Sequence, residues 1–197
     1  MAMQSSSEED HRRDIRLIAR VVARDSTAVG ELYDCHSRLL YGLILKIVRD
    51  RSEAEEMLQE VFVQVWTRAD TYNVQLGTPI AWLVRIARNR AIDRLRANTV
   101  RIRTAEAAPL PPPAETPERR AAMSEQERAV ARALDALPPD QRQLIEHAYF
   151  SGLTQSELAT RFGLPLGTVK TRVRTGMMTL RRDLQHIVAG VQKYEQA

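Results

Sequence analysis

One cysteine, Cys35, in 197 residues excludes an internal disulfide and suits a reducing compartment. Aromatic residues make up only 5% of the chain, which fits small helical bundles better than a β-sandwich. No apolar run approaches the roughly 20 residues needed to span a bilayer. The polar, acidic stretch from Ser5 to Asp10 carries no signal-peptide pattern, so a soluble, cytoplasmic chain is expected. His11, His36, His147 and His186 are scattered without metal-ligand spacing, and no glycine-rich phosphate loop occurs. Cys35 and His36 adjoin, but neighbours on a helix diverge by about 100°, and no orienting acid is evident in the sequence. These absences argue against an enzyme, so no catalytic residue, metal ligand or cofactor site is expected.

What is present is helical periodicity and sorted charge. Hydrophobic residues reach 44%, enough for packed cores, and the net charge is +4. Distribution matters more than the total. Seven arginines and one acid, Asp93, lie between Ala81 and Arg103. Six basic residues and no acid lie between Arg161 and Arg182. Between Glu53 and Glu60 the balance reverses, with four glutamates and no Lys or Arg. Two readings stand side by side: two nucleic-acid contacts plus a protein contact, or three solvated helix faces.

Residues 1–10 read as a disordered tail and 11–98 as a domain of four helices. The first is expected over Asp14 to Arg24. The second, Ser26 to Val48, has Leu32, Tyr33, Leu39, Leu40, Leu43, Ile44 and Ile47 inward. The third starts near Ser52, where Ser52-x-x-Glu55 has capping-box spacing. It buries Ala54, Met57, Leu58, Val61, Phe62, Val65 and Trp66, and shows Glu53, Glu56, Glu60 and Gln64 on its opposite face. A polar loop over 70–79 leads to a fourth helix, Pro79 to Asn98, with Arg85, Arg88 and Arg96 outward. Residues 99–126 hold five of the nine prolines and no apolar period, a flexible linker. Residues 127–190 form a second helical unit, and 191–197 a tail. The fold class is therefore all-α: two small helical domains on a proline-rich tether.

Within the second unit, Thr154 and Glu157 form a capping box that starts a helix at Gln155. Gly163 stands where a left-handed stop is wanted, and Pro165 opens the next helix. Val169, Val173, Met177 and Leu180 recur at inward spacing, leaving Lys170, Thr171, Arg174, Thr175 and Met178 outward. A helix with such a face, held against its neighbour, fits the DNA major groove.

Three segments in this order resemble the extracytoplasmic-function group of bacterial sigma factors, the promoter-reading subunits of RNA polymerase. They are AEEMLQEVFVQVW (54–66), PIAWLVRIARNRAIDRLR (79–96) and LPPDQRQLIEHAYFSGLTQSELATRFGLPLGTVKTRVR (137–174). The resemblance implies that 11–98 is sigma region 2 and 127–190 sigma region 4. It implies that Glu56, Gln59 and Glu60 meet core RNA polymerase. It places the melted minus-ten strand on Arg85, Arg88 and Arg96, with Tyr72 as a stacking platform and Asn73 against a flipped base. Trp66 and Trp82 are expected in the core. Thr168, Lys170 and Arg172 would meet phosphates of the minus-thirty-five duplex, with Arg172 alternatively a salt bridge. Thr171, Arg174 and Thr175 would lie nearest base edges. The family usually continues Arg-x-x-Arg-Ala-Arg; here Thr175, Gly176 and Met177 remove two arginines and put a glycine in the helix. An anti-sigma factor, in many members membrane-anchored, is the implied inhibitor. A helix-turn-helix regulator acting without polymerase would explain 127–190 but not the arginine-rich fourth helix. A helical adaptor that binds only protein would show no salt-dependent DNA affinity.

Overall fold

The structure, a computed structural model, describes residues 2–103 and 125–184, with side chains for 8–98 and 128–184. All eight helices among them come without a strand: α1 (Ala2–Val22), α2 (Ser26–Val48), α3 (Arg51–Arg68), α4 (Pro79–Arg103), α5 (Glu125–Asp135), α6 (Pro139–Phe150), α7 (Gln155–Phe162) and α8 (Leu166–Asp183). The chain divides into two compact units, Met1–Pro113 and Ala114–Ala197. The expected linker starts too early at 99, because α4 continues to Arg103. The rest of it up to 124, the 191–197 tail and His186 lie outside the described residues.

In the first unit α2 packs on both α3 and α4, and α1 closes the bundle. Its core joins Leu17, Ile18 and Val21 to Leu32, Leu40, Ile44 and Ile47, then to Met57, Val61, Val65, Leu83 and Ala87. The 1–10 tail is instead helical from Ala2. No Gly or Pro interrupts Ala2–Val22, and Asp10 pairs with Arg13 at 2.8 Å, one turn on. The helix stops at Val22 rather than Arg24, which takes a left-handed φ of 67°. Asp25 then caps α2, its carboxylate accepting from the Thr27 amide at 3.0 Å. Asp50, not Ser52, caps α3 and accepts from the Glu53 amide at 2.8 Å. Asp50-x-x-Glu53 has the same spacing as Ser52-x-x-Glu55, and the charged acceptor sits two residues earlier.

Two inward assignments on α2 fail: Tyr33 and Leu39 are each 40% exposed. Tyr33 instead lays its ring against Phe62 at 4.9 Å. Trp82 is buried as expected. Trp66 is only half-buried, with the Arg24 guanidinium 5.4 Å above its ring. An orienting acid for His36, invisible in the sequence, is present: His36 Nε2 donates to buried Asp14 at 2.8 Å. Arg13 donates to the other Asp14 oxygen at 3.2 Å. The acid arrives from α1, 22 residues away, so no local pattern announces it.

The second unit has two small cores. Leu144, Leu158 and Val169 form one, and Ala133, Leu137, Ile145 and Leu180 the other. α8 spans both. The Thr154–Glu157 capping box is complete: Thr154 Oγ1 accepts from the Glu157 amide at 3.2 Å, and Glu157 accepts from the Thr154 amide at 2.7 Å. Gly163 ends α7 at φ 62°, where a side chain would be strained, and the Leu164 amide reaches back to the Ala159 carbonyl at 3.0 Å.

Candidate nucleic-acid interface

α3 and α4 face each other through charge. Arg90 Nε donates to Glu60 at 2.6 Å. Arg94 lies 3.6 Å from Glu60, 3.9 Å from Glu56 and 4.0 Å from Glu53. Asn98 donates to Glu53 at 3.2 Å. Glu60 therefore does not stand on an outward ridge; its side chain is 30% exposed and committed to α4. Glu56, 63% exposed, and exposed Gln59 do face solvent. The α4 arginines split accordingly. Arg90 and Arg94 hold α3, while Arg85 and Arg96 are exposed and Arg88 is half-buried.

The loop between α3 and α4 is built from two short 3-10 turns, Ala69–Thr71 and Val74–Leu76. Asn73 Oδ1 accepts from the Gln75 amide at 2.9 Å, so this side chain shapes the loop as well as lining it. Tyr72 donates its hydroxyl to the Gly77 carbonyl at 3.1 Å. Its ring meets Trp82 edge-on, with centroids 5.8 Å apart. Burial, and then the nearby negative charge of Asp14, raise the Tyr72 phenol above its ordinary value, so it stays a neutral donor. Thr78 Oγ1 accepts from the Ala81 amide at 3.2 Å and caps α4, whose first residue is Pro79. Tyr72, Asn73, Leu76, Trp82 and Arg85 line a pocket of about 180 Å³. That is below the roughly 300–1,000 Å³ typical of small-molecule sites.

In the second unit the outward set of α8 is as expected: Lys170, Thr171, Arg174, Thr175 and Met178 are all exposed, while Val169 is buried. Thr171 turns its hydroxyl back to the Gly167 carbonyl at 2.9 Å. Thr168 is half-buried at the helix start. Arg172 is ion-paired with Asp140, in the first turn of α6, at 3.1 Å. The inward assignment of Met177 is wrong: it is 52% exposed, and Gly176 is the buried residue at that turn. An 18-residue helix drifts across a 3.6-residue period, so only one of adjacent positions 176 and 177 can face α6.

Two family models match this chain: Sigma-70 region 2 over residues 32–101 and Sigma-70 region 4 over residues 133–182. The ECF RNA polymerase sigma factor SigK of Mycolicibacterium vanbaalenii is 36% identical over 171 residues, covering 85% of this chain and 87% of that protein. SigK of Mycobacterium tuberculosis is also 36% identical, covering 85% and 91%. The chain belongs to the ECF RNA polymerase sigma factors. Among solved structures, Rhodobacter sphaeroides SigE in complex with the anti-sigma ChrR is 31% identical, covers 86% of this chain and 96% of that one, and has a TM-score of 0.44.

The sigma factor thus binds core RNA polymerase and directs promoter-specific initiation, and its two matched regions fall one within each of the two helical units. No helix among the described residues is long and apolar enough to cross a membrane. Sequence reasoning missed Leu76, 76% exposed at the loop tip, and Val74, 51% exposed beside it. Both lie in the stretch that the sequence reads as a polar loop. An apolar residue between Gln75 and Gly77 in a turn is the sequence signal for it.

Proposed function

We propose that the two units divide promoter reading. In the first, Glu56 and Gln59 on α3 meet core polymerase, with Glu60 bracing them from behind through Arg90 and Arg94. The Tyr72–Trp82 pocket takes a base of the melted minus-ten strand, and Arg85, Arg88 and Arg96 take its phosphates. In the second, α8 enters the major groove of the minus-thirty-five duplex. Lys170 and Thr168 lie near phosphates, and Thr171, Arg174 and Thr175 near base edges. Arg172 is tied to α6 and acts there by holding α8 in place. The observation that carries this reading is the exposed, acid-free face of α8, held on a buried Val169–Leu158–Leu144 contact. The protein works in the cytoplasm, and an anti-sigma factor, membrane-anchored or not, holds it inactive, as the family resemblance implies.

Run-off transcription with core polymerase and a promoter library tests the division. Arg85→Ala should impair opening on linear templates yet spare upstream duplex binding. Arg174→Ala should do the reverse. Equal effects of both variants on both steps would sink the division of labour.

A further inference from the structure

Two disfavoured features coincide at one contact in the second unit. Gly176 lies inside α8, where glycine is a poor helix former. Gln141 Oε1 on α6 is buried and has no hydrogen-bond partner among the described residues. A Cβ built on Gly176 would lie 2.6 Å from Ile145 Cδ1 and 3.3 Å from both Cβ and Oε1 of Gln141. The first of these is a methyl at the end of a side chain. The second is a backbone-anchored Cβ that no rotamer change removes. Ile145 itself is buried among Ala133, Leu137 and Leu180, which restrict its escape. α8 therefore approaches α6 as closely as it does because residue 176 has no side chain.

One turn earlier, Arg172 is ion-paired with Asp140 at 3.1 Å. α8 is thus clasped to α6 at two successive turns, by Arg172 on Asp140 and by Gly176 on Gln141 and Ile145. Arg174 and Thr175 lie between the clasps and are exposed. A shift of a few tenths of an ångström at Gly176 would tilt both relative to the frame that α6 and α7 provide.

We propose that Gly176 is a positioning residue for promoter reading: its close approach to α6 sets the angle at which Arg174 and Thr175 meet the upstream duplex. This rests on the reading of α8 as the DNA-facing helix.

The test uses the full chain in complex with core polymerase. The probe is the duplex that wild-type holoenzyme enriches from a library randomised at the upstream element, together with its single-base variants. Gly176→Ala should lower discrimination between them by at least about fivefold, the low end of one base contact, while the salt slope stays unchanged. Adding Ile145→Val, which deletes the Cδ1 in the way, should restore most of the discrimination. Ile145→Leu conserves volume and so keeps the fold; it should move discrimination in the same direction as Gly176→Ala. Should Gly176→Ala fail to fold, Ile145→Leu decides. A Gly176→Ala protein that only melts earlier, with base preference intact, overturns the proposal, as does wild-type preference in Ile145→Leu. Lys170→Ala separates the two levels. If it leaves affinity and salt slope untouched, the DNA-facing reading of α8 has failed. If it weakens binding to all duplexes while Gly176→Ala keeps its discrimination, only the positioning role has failed.

Discussion

The two units spend their arginines differently. In the first, α3 and α4 turn opposite charges toward each other: Arg90 on Glu60, and Arg94 on Glu53, Glu56 and Glu60. Much of the apparent basic surface of α4 is consumed in holding α3, and much of the apparent acidic surface of α3 with it. In the second unit α8 has no acid of its own before Asp183. Among the described residues only Arg172 of its first three cations is ion-paired, and its partner comes from α6. The lesson concerns how charge is counted. A run of arginines in the sequence is a nucleic-acid surface only after subtracting those that a facing helix neutralises. That subtraction removes Arg90 and Arg94 but not Arg85, and removes Arg172 but not Lys170 or Arg174.

The sharpest way to break this contrast is Glu60→Lys. The change sets a cation against Arg90 and Arg94 at a site where the side chain is 30% exposed. Removing a partly buried partner costs about 1–3 kcal/mol, and more where charge is involved, so chemical denaturation of the full chain should show a loss at the top of that range. Glu56→Lys should stay within about 0.5 kcal/mol, because that residue is exposed and its contact to Arg94 is long. Glu56→Lys combined with Gln59→Lys should nonetheless weaken core polymerase binding sharply, with circular dichroism unchanged. Similar stability for the Glu60 and Glu56 variants would mean that the α3–α4 pairs contribute nothing in solution.

The helices and their family were legible because they rest on local signals. The Thr154–Glu157 box, Gly163 and the apolar period of α3 each act within a few residues. What was hidden required a partner from elsewhere in the chain. Asp14 meets His36 across 22 residues and Arg90 meets Glu60 across 30, and no spacing rule reaches that far. Competition between equivalent signals misplaced the cap of α3, where Asp50 and Ser52 offered the same spacing. Gly176 was legible only as a cost, because the Ile145 methyl that explains it belongs to another helix.

On the second unit the contrast predicts two kinds of loss. Arg174 is exposed one turn after Lys170. As a base contact, Arg174→Ala should cost about 1–3 kcal/mol on the preferred upstream duplex and relax preference at one position. Lys170→Ala should weaken all duplexes alike and reduce the salt slope by about one. A titration over single-base variants at two salt concentrations separates them. Uniform losses from Arg174→Ala would leave Thr171 and Thr175 as the base readers. Arg172→Ala should be smaller than either. It breaks a surface pair with Asp140 worth about 0–1 kcal/mol, and Asp140→Asn should reproduce its effect on DNA binding. If only Arg172→Ala weakens DNA binding, Arg172 touches phosphate directly and the subtraction fails at that residue.

The smallest effect concerns Asp25, a charge of the first unit with a purely structural task. It accepts from the Thr27 hydroxyl at 2.6 Å, from Arg20 at 2.8 Å and from the Thr27 amide at 3.0 Å. The Thr27 hydroxyl first, then Arg20, hold its carboxyl at about 2, below the usual 3.8. The folded state therefore favours the ionised form. Its contribution is complete above about pH 4, declines as the pH falls through the folded value near 2, and is gone when both states are protonated. Asn is about as good an N-cap as Asp, so Asp25→Asn should keep α2 and remove only the titrating part. Because other carboxylates titrate in the same window, the quantity to follow is the difference in stability between wild type and variant, measured by urea unfolding from pH 5 to pH 2. That difference should be small and should narrow as the pH falls. A difference that stays constant with pH would mean that Arg20 and Thr27 do not hold the carboxylate in solution.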